Sequence, residues 1–76
     1  MNIVLTDDEK QVIEYTRGCI NDAIDLIIYF LSKTKPIEAS YELDRILEYI
    51  GILRRIIEAV KVRVKRAKIE EGREDG

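Results

Sequence analysis

Seventy-six residues, 46% of them apolar and 37% charged, with a net charge of −2, make one domain that is too apolar for disorder and too small to close a generous core alone. The absence of histidine and the presence of a single cysteine, Cys19, exclude histidine-based catalysis and a disulfide-stapled secreted fold. No stretch reaches the ~20 apolar residues that cross a bilayer and no leader pattern opens the chain, so the expected location is cytoplasmic, without membrane contact.

The amides are few (Asn2, Gln11 and Asn21), while Ile, Glu, Lys and Arg abound, a thermophile-like balance. Residues 1–5 form a short apolar arm around Ile3, Val4 and Leu5. Thr6-Asp7-Asp8-Glu9 then reads as a helix start. The Thr6 hydroxyl can accept from the Glu9 amide, and the Glu9 carboxylate can reach back. Three acids in the first turn suit the positive end of the helix dipole. Ile13, Thr16, Ile20, Ala23, Ile27 and Phe30 follow at helical spacing. Val12, Cys19, Ile24 and Leu31 widen that stripe on both sides, enough to face more than one neighbour. The first helix is expected over residues 6–32.

Ser32 to Lys35 is a polar connector. Pro36 cannot extend the first helix but suits the first turn of a second, and so short a link favours an antiparallel hairpin. The second helix is expected over 36–71, with an acidic, disordered tail at 72–76. It carries an unbroken heptad, Leu43, Ile46, Ile50, Leu53, Ile57, Val60, Val64 and Ala67, the pattern that winds one helix seam against a partner. Val60, Val62 and Val64 alternate with Lys61, Arg63 and Lys65, which is also a strand pattern. The heptad holds its phase through this stretch, and that favours helix. Gly51 alone costs only about 1 kcal/mol against Ala, so the helix is expected to run through it.

Apolar residues remain beyond the two seams: Leu26, Ile28, Tyr29, Leu47, Ile52, Ile56 and Val62. Left wet, they would form a large adhesive patch. A second copy of the hairpin resolves this, giving an all-α, homodimeric four-helix bundle. Its core and oligomer interface are expected at Ile20, Ile27, Phe30, Ile46, Ile50, Leu53, Ile57, Val60 and Val64.

The charges are unevenly spread. Residues 1–32 carry −4 and residues 54–68 carry +6. A hairpin turning near residue 35 would set Asp7, Asp8, Glu9 and Glu14 beside Lys61, Arg63, Lys65 and Arg66. Lys61, Lys68, Arg54 and Arg63 would then flank the seam as cross-helix ion-pair partners. The competing reading lays the basic half of the second helix on nucleic acid, with contacts from Arg55, Lys61, Lys65 and Arg66. No aromatic is interleaved with these bases, which argues against single-strand stacking.

Other features carry less. Gly18 and Gly51 fall near one level of the hairpin and read as two tolerated surface glycines, with a close approach by another helix or a shallow notch as the alternative. Arg17 and Arg54, near Asp22 and Asp25, could hold an anionic metabolite. Cys19 lacks a histidine to activate it and reads as an inert thiol. The i, i+4 carboxylates Glu38/Glu42 and Asp44/Glu48 read as solvated faces rather than a hard-cation site. The tyrosines at 15, 29, 41 and 49 border the core. No catalytic, cofactor-binding or metal-binding residue is expected. The expected role is a non-enzymatic interaction or regulatory module, with a second copy and a protein as partners and nucleic acid as the alternative.

Overall fold

In the computed structural model, residues 5–75 are described, with side chains from Leu5 to Glu70. The chain of Met1 to Val4, the rest of the apolar arm, lies outside them, as does Gly76. Two helices follow in order: α1, Asp7–Ser32, and α2, Pro36–Asp75.

The start of α1 is fixed by its own sequence. The Glu9 amide donates to Thr6 Oγ1 at 3.1 Å, and the Thr6 amide donates to Glu9 Oε1 at 3.0 Å. The box satisfies two backbone donors that a helix start otherwise leaves unpaired. At the other end the Lys33 amide donates to the Tyr29 and Phe30 carbonyls, and the Lys35 amide donates to Phe30 O at 2.8 Å. The reversal requires Thr34 at φ 57°, a left-handed conformation that is strained for a β-branched residue. The Ala39 amide then donates to Lys35 O at 3.2 Å. Pro36 therefore occupies the first position of α2, where its missing N–H leaves nothing unpaired.

α2 is one helix of 40 residues against 26 for α1. It runs straight through Gly51 and through the alternating valines, with no strand among the described residues. It also passes Gly72, four residues beyond the sequence-based end at Glu71, so the backbone of 72–75 is helical rather than a separate tail. No described glycine takes a positive φ, and a helix-ending cap at Gly72 would need one.

The helices pack antiparallel over a narrow seam. From α1 it takes Glu9, Ile13, Thr16, Ile20, Ala23, Ile27 and Phe30. From α2 it takes Ala39, Glu42, Ile46, Tyr49, Leu53, Ile56, Val60, Arg63 and Ala67. Among the described residues the buried ones are few and mostly small: Thr16 is 1% exposed, Ala23 3%, Ala39 6% and Glu42 9%. Small side chains let the two backbones approach closely, but they remove little apolar surface from water.

The result is a rod with extents of 64 × 18 × 13 Å and a radius of gyration of 18.4 Å; a compact domain of this length would have about 11 Å. The chain exposes 6378 Å², against about 4,800 Å² expected for a folded monomer of its mass.

Candidate interaction surface

The heptad of α2 is split by the fold. Ile46, Leu53, Val60 and Ala67 face α1 as expected of a seam, but Leu43, Ile50, Ile57 and Val64 do not. Their place opposite α1 is taken by Glu42, Tyr49, Ile56 and Arg63, so α2 is turned by one column from the expected orientation. Leu43 is 49% exposed, Ile50 48%, Ile57 53% and Val64 38%. Of the residues expected in the core and interface, Ile20, Ile27, Phe30, Ile46, Leu53 and Val60 are half-buried in the hairpin seam, while Ile50, Ile57 and Val64 line its flank.

The exposed column is not isolated. Leu47 stands beside it on α2, and Ile24, Ile28 and Leu31 lie on the same flank of α1, all exposed. Towards the open end of the hairpin this flank deepens into a groove of about 680 Å³. Its floor is Leu5, Ile13, Ile56, Ile57, Val60 and Val64, and its edge is Lys61, Lys65 and Lys68. An apolar strip thus runs the length of the hairpin, bordered by lysines at one end.

The charged residues do not meet as the sequence suggests. Across the two helices one described ion pair forms, Arg63 Nη2 to Glu9 Oε1 at 2.6 Å. The others lie within a helix: Arg17 with Glu14, Arg45 with Glu42 at 3.4 Å, and Lys61 with Glu58 at 3.0 Å. Arg63 is therefore a seam residue, not a flanking one. Among the described residues, Arg54, Arg55, Lys65, Arg66 and Lys68 form no ion pair. Arg55, Lys61, Lys65 and Arg66 spread from one flank of α2 across its outward face to the other flank, since they occupy four different columns of the heptad.

Glu9 is shifted by its surroundings. The Arg63 guanidinium, and after it the Thr6 amide, hold its carboxyl below the ordinary 4.5. Glu42 is enclosed in the seam, and its charge raises Arg45, with Tyr49 adding to the effect. Thr16 Oγ1 and Arg63 Nε are buried without hydrogen-bond partners among the described residues.

The opposite flank carries a small notch of about 80 Å³ between Cys19, Asp22, Ala23, Leu26, Glu42, Arg45 and Tyr49. Contact with the Cys19 thiol, and then the Tyr49 hydroxyl, raises Tyr15 above its ordinary 10.0. Neither cavity is lined by Arg17 or Arg54. A Cβ added at Gly18 or Gly51 meets nothing within 4 Å, so these glycines mark no close approach within the protomer. Tyr15, Tyr29 and Tyr41 are exposed, and Tyr49 enters the seam. No group of three potential metal-ligating side chains occurs among the described residues, and no described helix is long and apolar enough to cross a membrane.

Of the surplus apolar residues expected from the sequence, Ile28, Leu47 and Ile56 lie on this flank and Leu26 lines the opposite notch, while the column that leads the flank is one expected in the hairpin seam. The signal that separates the two lies in α1, whose own seam column ends in Glu9, Thr16 and Ala23. Those residues match Arg63, Ile56 and Tyr49, not a row of aliphatic side chains. Comparison with family models, with curated proteins and with solved structures returns no match for this chain.

Proposed function

We propose that this chain is a non-enzymatic interaction or regulatory module that works as a homodimer, two hairpins closing into a four-helix bundle. The observation that carries this reading is the exposed column Leu43, Ile50, Ile57 and Val64. Four aliphatic side chains seven residues apart form a helix seam with nothing on it in a single copy. The surface exposed beyond that of a compact monomer is about 1,600 Å² per chain. Size-exclusion chromatography with light scattering tests the reading: a dimer at micromolar concentration supports it, and a folded monomer removes it.

A second reading, association with nucleic acid, is favoured by Arg55, Lys65 and Arg66, which form no ion pair among the described residues, together with Lys61, which is paired to Glu58 on the same helix. A cationic face of this kind would bind phosphates without sequence preference and release them steeply with salt. A gel shift with random duplex over a salt series separates the two. The homodimer reading expects no shift at physiological salt, and a salt-steep shift at micromolar protein would promote the alternative.

A further inference from the structure

Resting on the homodimer reading, we infer that a second copy of this chain docks on the Leu43–Val64 flank in antiparallel orientation, its connector at the opposite end, so that its Leu43 and Leu47 fill the lysine-edged groove of the first.

The geometry of the column selects the axis. Leu43, Ile50, Ile57 and Val64 are evenly spaced, so a two-fold axis across the rod between Ile50 and Ile57 maps the column onto itself. Leu43 then meets Val64 of the second copy and Ile50 meets its Ile57. The contact is self-complementary, as a two-fold interface must be. Leu43 and Leu47 project from the connector half, and the groove lies in the open half. The antiparallel arrangement brings each pair of leucines to a groove, twice.

Charge selects against the alternative. Beside the apolar column runs a second one: Ser40, Leu47, Arg54, Lys61 and Lys68. Were the two copies parallel, Arg54, Lys61 and Lys68 would each face themselves, three like-charge contacts along one seam. Antiparallel, Lys61 lies beside Leu47 of the second copy, where its methylene stem can pack while the ammonium reaches water. Lys68 lies beside Ser40, and only Arg54 meets itself, at the axis. On the outer edge, Asp44 of each copy comes level with Lys65 of the other.

The distribution over the whole chain agrees. Residues 19–48, the connector half, hold six acids and three bases. Residues 1–18 and 49–76, the open half, hold nine acids and ten bases. Antiparallel copies set a half of net −3 against a half of net +1 at both ends, whereas parallel copies oppose the two acidic halves to each other. In the antiparallel dimer Lys61, Lys65 and Lys68 border an occupied seam, which withdraws them from the nucleic-acid reading.

The test uses the full chain with Cys19→Ala, so that introduced thiols are the only ones. Leu43→Cys and Val64→Cys are prepared separately, mixed and allowed to exchange, then oxidised. Light scattering on each sample establishes whether a dimer is present. Disulfide formation in the mixture, with little in either variant alone, is the expected result, since only Cα atoms within about 7 Å can be bridged. Because core-edge cysteines could disturb folding, Ser40→Cys on the exposed first turns of α2 gives a second measurement. Spin labels there should lie about 40 Å apart across an antiparallel dimer, from 1.5 Å per residue along the helix. A dimer in which Leu43→Cys links to itself and the Ser40 labels lie within about 20 Å overturns the orientation but leaves the homodimer standing. A dimer with no cross-link at either position and a distance unlike both overturns the choice of face. A monomer overturns the underlying reading.

Discussion

Glu9 Oε1 lies 2.6 Å from Arg63 Nη2 and 3.0 Å from the Thr6 amide nitrogen. One oxygen thus closes the capping box of α1 and ties that cap to the far half of α2. This explains how an arginine can occupy a seam column otherwise filled by apolar residues. Arg63 brings a charge to the only level of the hairpin where α1 offers a carboxylate in its own seam.

The pH dependence follows from that contact. The Glu9 carboxyl is held below its ordinary 4.5, first by Arg63 and then by the Thr6 amide. A carboxyl depressed in the folded state contributes stability that is present above its unfolded value and is lost as pH falls through the folded one. Urea unfolding followed by circular dichroism should show stability falling as pH drops below about 4.5. Glu9→Gln should be less stable at pH 7 and should show a shallower fall in the acid range. An unchanged acid limb in Glu9→Gln would place the pH sensitivity elsewhere.

Thr16 is the most deeply buried side chain in the hairpin, and its hydroxyl has no described partner. An unsatisfied buried polar group costs about 1–3 kcal/mol. Thr16→Val keeps the shape and removes the hydroxyl, so it should raise unfolding free energy by about 1 kcal/mol. A loss of stability in the same urea experiment would mean that the hydroxyl is satisfied in solution.

Thr34 holds a positive φ in the connector. An L side chain is disfavoured there by about 1–2 kcal/mol, whereas glycine adopts the conformation freely at some entropic cost. Thr34→Gly should stabilise the hairpin by up to about 1 kcal/mol without altering its helix content. Destabilisation would show that the connector reverses by another route.

Much of this architecture can be read from the residues alone. The Thr6–Glu9 box, the connector and Pro36 mark the helix ends, and the stripe from Ile13 to Phe30 marks the buried side of α1. The phase of α2 is less legible for a physical reason. Two adjacent columns, Ile46-Leu53-Val60 and Leu43-Ile50-Ile57-Val64, are equally apolar, and periodicity alone pairs them as one seam. The fold instead joins the first column to Glu42, Tyr49, Ile56 and Arg63. Glu9, Thr16 and Ala23 on α1 can receive these polar and bulky side chains. Local pattern does not report such a match, because it depends on residues 26 to 54 positions away. The charge blocks mislead similarly. Summed over segments they suggest cross-helix pairing, yet Glu14 and Glu58 satisfy Arg17 and Lys61 one turn away on their own helices.

The most direct test of the exposed column is the oligomeric state of the wild-type chain beside that of Ile50→Glu/Ile57→Glu, measured by light scattering with circular dichroism at micromolar concentration. Both positions are half exposed in one copy, so the substitutions would cost a free-standing hairpin little. The expected result is a wild-type particle of twice the 8.9 kDa chain mass and a double variant that loses both dimer and helix. A wild-type particle of 8.9 kDa, fully helical and as stable as the double variant, would contradict it.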